Sequence, residues 1–546
     1  MENYPKRINE NLSREMWRAC DILRRDNNVG GIMAYTEHLA WLLFLKFLDQ
    51  EEKKRAEEAA FKGETYMPVL QGELAWDYWA SPKALEKWDS QKGELVAFVR
   101  GRLLPGLASL SGSPLARTIS KIFSDEAVGD QTVVRNVPVC ASDYNLKEVI
   151  SIINSIHFDR EEDIFTINQF YEDLLARMGM ESQIAGEFLT PRPVIRFMVD
   201  VIDPQIGETV YDPACGTAGF LAQAYLYMEK QVQTLEDAET LQSATFYGQE
   251  KKGLAALLGT MNLVLHGVTS PNIARVNTLE EDIKGSVDRR FDIVLTNPPF
   301  GGMEGRHIQS NFPIRSNATE LLFLQHILKK LKATPNARAG VVVPEGTLFR
   351  GGAFADVKKW LLDDFHLFAV ISLPPGVFAP YSDVKTALLF FRRAEGTLQR
   401  NPAALGETWY YELPLPPGLK KFSKGSPVQD EHFAEARALW ERWRAWIDGR
   451  GERPFAFAAD IRARWQAYRE GRGECPEPPY NTWVEQVEDL RARGYDLSAR
   501  NPHQNDYQTL PHPAEITATL LEHLRDLQSS LERLHELVSN GGAEEW

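Results

Sequence analysis

Phe291-Asp292-Ile293-Val294-Leu295-Thr296-Asn297-Pro298-Pro299-Phe300 is the stretch that decides the fold. Its first six residues form a short, mostly apolar run of the kind that parallel sheets bury on both faces. The proline pair then forbids continuation of either strand or helix. A stiff corner results at the carboxyl end of a strand, where open α/β sheets place their ligand sites. On it sit the Asn297 amide, the Pro298 carbonyl, which meets no N–H from the proline after it, and the Phe300 ring. Two acceptors beside a ring suit an exocyclic amino group on a planar base. A proline-rich loop that ends a strand fits the bare tetrapeptide equally well.

Around this corner, residues 166–393 alternate short apolar runs with helical stretches, the mark of a parallel α/β sheet. Strands are expected at 209–211, 245–247, 274–276, 293–295, 340–343, 368–371 and 387–391, with helices such as 220–230, 253–266 and 320–332 between them. Leu373-Pro374-Pro375-Gly376-Val377-Phe378 joins the last two strands without a long helix, which predicts an antiparallel pair. Seven strands so arranged suit an α/β, Rossmann-like methyltransferase core with a mixed sheet.

The flanks read differently. Residues 1–165 predict a helical domain: Trp17, Cys20, Leu23 and Arg24 precede a turn at Gly30-Gly31, and a second helix runs from Tyr35 to about Leu48. Lys53, Lys54 and Arg55 then give a polar face with Glu51, Glu52, Glu57 and Glu58. Such a domain is either a clamp for DNA or a partner, or a packing appendage. Residues 394–546 predict a helical, partner-binding region. Trp440, Trp443 and Trp446 recur among Arg437, Arg442, Arg444 and Arg450, a pattern better explained by a helix burying its aromatic face than by stacking on nucleic acid. Leu520, Leu524, Leu527, Leu531, Leu534 and Val538 follow coiled-coil spacing and call for a partner within or outside the chain.

Composition narrows the class. A chain of 546 residues exceeds a single hydrophobic core, so two or three domains are expected. A net charge of −15 argues against a broad surface coating nucleic acid and leaves a local basic cleft or a partner subunit. Cys20, Cys140, Cys215 and Cys475 are scattered without metal spacing, which predicts a reducing cytoplasm and no metal site. The polar N-terminus has no signal peptide, and the apolar run 39–48, broken by Lys46, is too short for a bilayer. No G-x-x-x-x-G-K-[ST] and no complete G-x-G-x-x-G occurs, which excludes an ATP-driven motor and a nicotinamide enzyme.

Cofactor chemistry is carried by Asp212-Pro213-Ala214-Cys215-Gly216-Thr217-Ala218-Gly219-Phe220, which follows strand residues Val210-Tyr211. Small residues let the backbone approach a ligand closely. An acid at the strand end suits the positive end of a cofactor better than a phosphate. Gly248-Gln249-Glu250 ends the next strand, and a carboxylate there suits ribose hydroxyls. Each piece alone is weak. In the order Asp212 turn, Glu250, Asn297-to-Phe300 corner, they point to amino methylation dependent on S-adenosyl-L-methionine.

Further residues give the pattern a family. They are Gly186-Glu187-Phe188-Leu189-Thr190-Pro191-Arg192-Pro193-Val194, Met261-Asn262-Leu263-Val264-Leu265-His266-Gly267, Asn277-Thr278-Leu279, Val343-Pro344-Glu345-Gly346-Thr347-Leu348-Phe349 and Gly494-Tyr495-Asp496-Leu497-Ser498. With them, nearly the whole chain resembles the modification (M) subunit of type I restriction–modification systems, an N6-adenine DNA methyltransferase. The resemblance implies that Asn297, Pro298, Pro299 and Phe300 are catalytic. It implies that Glu187, Phe188, Leu189, Thr190, Pro191 and Arg192 wrap the methionine end of the cofactor. Gly216, Thr217 and Ala218 then form the close turn beside Asp212, Glu250 takes the ribose, and Asn277 lies near the adenine. Ala218 stands where the commonest pattern has a second glycine, which implies a backbone without positive φ. Implied partners are double-stranded DNA, a specificity (S) subunit, a second copy of the chain and a restriction (R) subunit. Two other readings fit: a protein or RNA amino methyltransferase, because Asn-Pro-Pro-aromatic motifs also serve glutamine amides, and a non-catalytic assembly scaffold.

Overall fold

The computed structural model describes residues 9–89, 92–128, 131–158, 166–167, 170–171, 173–174, 177, 190–268, 271–379, 382–503, 524–525 and 528–532. Among them a nine-stranded sheet forms within the larger of two compact units, Met1–Phe457 with Asn481–Ala499. Its strands are β1 (Val210–Asp212), β2 (Phe246–Glu250), β3 (Ile273–Arg275), β4 (Ile293–Thr296), β5 (Arg338–Pro344), β6 (Phe365–Ser372), β7 (Thr386–Arg393), β8 (Glu407–Glu412) and β9 (Thr482–Gln486). In space they run β9-β8-β6-β7-β5-β4-β1-β2-β3.

All seven expected strands form. β1 lies in parallel between β2 and β4, so the chain winds outward to β3 on one side and resumes on the other. That reversal opens a crevice at the carboxyl ends of β1 and β4. β7 inserts antiparallel between β5 and β6, as the short connection predicts.

The stretch 394–546 departs from its helical expectation. β8 adds in parallel to β6, and β9 adds antiparallel to β8. Trp409, Tyr411, Trp483 and Val484 are all buried, aromatic and β-branched residues that fit a covered pleated surface. The tryptophan stripe folds as expected. Helix Ala434–Ile447 lays Trp440 and Trp443 against the sheet. The Trp443 indole N–H donates to the Phe368 carbonyl at 2.8 Å, and that of Trp446 donates to the Glu407 carboxylate at 2.8 Å.

N-terminal helices Glu10–Arg24 and Ile32–Phe61 build a second core around Met16, Leu39, Trp41 and Phe44. Helix Gly253–Leu265 of the α/β region adds Leu257, Leu258 and Met261 to that core. Two expectations are corrected. Ser124–Val128 pairs antiparallel with Gln131–Val134, so this region is not purely helical. Glu52 is not on the polar face: it is 3 % exposed, and its carboxylate accepts the N–H groups of Val69 and Leu70, fixing the chain after the helix.

The smaller unit comprises Ala458–Tyr480 and Arg500–Trp546. Within it Asn501 donates to the Tyr480 carbonyl at 2.9 Å. Of the coiled-coil positions, Leu524 and Leu531 are each 59 % exposed, while Leu520, Leu527, Leu534 and Val538 lie outside the described residues. No helix among the described residues is long and apolar enough to cross a membrane.

Candidate active site

β1 ends at Asp212, at the carboxyl edge of the sheet beside the point where the strand order reverses. The residue is 1 % exposed, and burial raises its carboxyl to about pKa 7, against the pull of the neighbouring Thr296 hydroxyl and the Ala214 N–H. Nearby Glu250 adds to the rise, and among the described residues no lysine or arginine offsets it. A buried carboxyl without a cation fits a ligand that brings positive charge.

The chain then turns through Gly216 (φ 51°) and Ala218 (φ 58°) into helix Gly219–Glu229. Ala218 therefore does adopt positive φ, contrary to expectation. A left-handed alanine costs about 1–2 kcal/mol. The turn is fixed on several sides. Cys215 N–H donates to the Gln249 carbonyl at 3.0 Å, and the Ala218 carbonyl accepts the Ala222 N–H at 2.9 Å.

Glu250, 8 % exposed, closes the turn from β2. One carboxylate oxygen accepts the Gly216 N–H at 3.0 Å, and the other accepts the Lys252 N–H at 2.7 Å. Burial outweighs these amides and raises its pKa. Each oxygen keeps a second lone pair for a hydroxyl donor. Asn277 is occupied locally: its side-chain oxygen accepts the Leu279 N–H at 3.3 Å and its amide donates to Glu280 at 3.1 Å. Two strand-end carboxyls around a backbone turn with no phosphate-binding pattern suit a ligand that carries positive charge and hydroxyl groups.

Across the crevice, β4 ends at the corner. The Asn297 amide nitrogen donates to the Thr190 hydroxyl at 2.9 Å. Its oxygen is buried and has no partner among the described residues. An unpaired buried acceptor is costly and calls for a donor. Thr190-Pro191-Arg192 thus joins the two halves of the site: a side chain at Gly219 would come within 3.6 Å of the Arg192 guanidinium. Glu187, Phe188 and Leu189 lie outside the described residues.

Beyond Asn297 opens a cleft of about 600 Å³, lined by Pro298, Pro299, Phe300, Met303, Thr347 and Phe378, among others. The buried Glu320 carboxylate holds its floor by accepting the Gly301 N–H at 3.3 Å. The opposite wall is anchored from below. The Lys358 ammonium, pushed down to about pKa 8 by burial, donates to the carbonyls of Leu348 (2.6 Å) and Arg350 (2.9 Å). Leu497 N–H also donates to the Leu348 carbonyl, at 3.0 Å. The Gly494-to-Ser498 motif is therefore a latch on the cleft wall.

Two supporting residues carry roles that the sequence did not assign. Asn262 donates to the Thr217 carbonyl at 2.7 Å, from a buried position. Gly259, one turn earlier, lets the helix press on the turn: a Cβ there would lie 2.9 Å from the Gly216 carbonyl oxygen and 3.3 Å from the Ala218 Cβ. A glycine inside an otherwise strong helix was the available signal. Gly259→Ala is expected to weaken S-adenosylmethionine binding about tenfold or more, with a stability loss of about 1–3 kcal/mol from overpacking. Calorimetric titration beside thermal melting checks both.

Known proteins are similar to this chain over nearly its whole length. The N-6 DNA methylase family matches residues 160–503, and the HsdM N-terminal domain family matches residues 12–153. The type I restriction enzyme EcoEI methylase subunit of Escherichia coli is 35% identical over 507 residues, covering 91% of each chain. A chain from a structure that describes complex assembly and conformational transition of the type I R-M system is 54% identical, with TM-score 0.71, and covers 98% of this chain and 99% of that one. Another, from Vibrio vulnificus YJ016 and described as a type I modification subunit, is 33% identical with TM-score 0.72, covering 94% of this chain and 100% of the other. With its crevice, its Asn-Pro-Pro-Phe corner and these matches along both regions, the chain belongs to the N-6 DNA methylase family, among the methylase subunits of type I restriction–modification systems.

Proposed function

We propose that this chain transfers a methyl group from S-adenosylmethionine to N6 of a flipped adenine in double-stranded DNA, with the target site chosen by a separate specificity subunit. The observation that carries the proposal is the unpartnered, buried Asn297 oxygen, oriented by Thr190 beside the Phe300 cleft.

An adenine inside a duplex cannot present N6 to a methyl donor, so it must leave the stack. Phe300 stacks on the extruded ring, a contact worth about 1–3 kcal/mol. The Asn297 oxygen and the Pro298 carbonyl accept the two N6 hydrogens, which draws the nitrogen toward tetrahedral geometry and exposes its lone pair. Thr190 fixes the amide and the proline rings fix the carbonyl, so the acceptors are preorganised. Asp212 faces the positive end of the cofactor and Glu250 its ribose, with Thr190, Pro191 and Arg192 alongside. Bound there, S-adenosylmethionine supplies an electrophilic methyl group on a sulfonium. The N6 proton becomes acidic only once the nitrogen is methylated, so no side chain has to remove it beforehand.

The rest of the assembly is what membership among type I methylase subunits implies, and the charge of the chain agrees with it. At net −15 it gains from a partner that carries the DNA-holding charge. The proposed complex joins two copies of the chain to one kind of specificity subunit, with a restriction subunit added for cleavage, in the cytoplasm. The test is transfer of labelled methyl to duplex DNA by the chain with its specificity partner and not by the chain alone. Label on protein or RNA, or no transfer at all, overturns the proposal.

A further inference from the structure

We infer that Met303 is a wedge that enters the DNA duplex beside the target base, and that the loop bearing it is the DNA-facing lip of the cleft. The inference rests on the adenine reading above and names the residue that opens the helix for it.

Met303 lines the cleft together with Asn297 and Phe300, yet its side chain is 82 % exposed, which puts it at the mouth. Single exposed methionines are ordinary on protein surfaces. This one is set on an unusually fixed support. Met303 bridges antiparallel to Ala318, the Glu304 N–H donates to the Asn317 carbonyl at 2.8 Å, and the Thr319 N–H donates to the Gly302 carbonyl at 3.1 Å. The two segments lie so close that a Cβ at Gly302 would fall 2.5 Å from the Thr319 hydroxyl. The Gly301 N–H is held by buried Glu320. A fixed backbone therefore presents a long, apolar, unbranched side chain at the entrance through which the base must pass.

The charges around it match a duplex. Arg306, three residues after Met303, and Arg315, three before Ala318, are both exposed on this lip of an otherwise acidic chain. Glu304, the acid next to Met303, accepts the Thr319 hydroxyl at 3.2 Å. Arginines that meet phosphates fix the register of a protein on DNA. Apolar side chains, methionine among them, can then enter a base step and unstack it. The polarizable thioether fills an irregular gap such as an extruded base leaves.

The test uses the assembled complex with two duplexes bearing its methylation site, one with 2-aminopurine at the target position for fluorescence and one with adenine there for methyl transfer. Met303→Ala is expected to cut the fluorescence gain on binding about fivefold and kcat/KM about tenfold, and Met303→Leu to restore both. An abasic site opposite the target removes the pairing that the wedge helps to break. On that duplex Met303→Ala is expected to methylate within about twofold of wild type. An undiminished fluorescence gain in Met303→Ala, or the same tenfold deficit on the abasic duplex, overturns the wedge. Wild-type complex that methylates no duplex overturns the adenine reading instead. Wild type that methylates, with Met303→Ala indistinguishable from it, overturns only the wedge.

Discussion

Replacing Asn297 with alanine is expected to lower methyl transfer to DNA about 10²–10³-fold, the effect of deleting one preorganised polar group aimed at a transition state. The loss should fall on kcat. Affinity for S-adenosylmethionine should stay within about twofold of wild type, because the proposed cofactor contacts lie on Asp212, Glu250 and the turn that Glu250 holds. The fold should be little disturbed. The side-chain oxygen that is removed bonds to nothing among the described residues, and the lost amide bond to Thr190 is half-buried. In cells the predicted result is disappearance of one bipartite N6-methyladenine motif from the methylome. An unchanged methylome rejects the assignment of Asn297.

The second large effect is a pH dependence of cofactor binding that originates in Asp212. In the free chain, burial holds this carboxyl near pKa 7 rather than at its ordinary 3.8. A cationic ligand favours the ionised form, so binding below pH 7 displaces a proton. Affinity is then expected to rise about tenfold per pH unit from about pH 5 to 7, and to level off until an α-amino group deprotonates near pH 8. The sign for the unliganded fold is opposite. A carboxyl raised on folding stabilises the fold below its unfolded pKa, and that contribution is lost between pH 3.8 and about 7, at about 1.4 kcal/mol per unit. Dissociation constants at three pH values between about 5.5 and 7.5 check the prediction, with Asp212→Asn as a flat, weaker-binding control. A flat wild-type profile excludes Asp212 as the partner of the positive group.

How much of this was legible in the residues depends on what punctuates the chain. Proline and glycine mark turns strongly, so the Asn297-to-Phe300 corner and the Asp212 turn could be placed on strand ends from sequence. The seven strands of the core were legible for a similar reason, since apolar runs alternate with helices. β8 and β9 were not. Their aromatic residues sit among prolines and arginines, and their partners are distant in sequence: Trp409 pairs with both Ala369 and Val484. Glu52 was misread because a run of charges usually means solvent, whereas here one carboxylate is drawn inward to hold two backbone amides. Ala218 was misread because absence of glycine was taken as absence of positive φ. The turn imposes the conformation, and the helix after it holds the strain. Asn277 lost its implied freedom to a cap that its neighbours Leu279 and Glu280 complete. Gly259 stands out as a glycine within a helix and Asn262 lies in a family-like stretch. Neither pattern shows which segment the residue meets, because both act on backbone atoms of the distant turn.

The two late strands also matter while the chain is being made. Once residue 412 has left the ribosome, β8 can pair with β6, but its other edge waits for β9 to arrive about 70 residues later, a delay of about 4–14 s at ordinary synthesis rates. During that interval an edge rich in tryptophan and tyrosine offers unpaired backbone to any neighbouring nascent chain. Yield of folded protein should therefore respond to translation speed between residues 412 and 482.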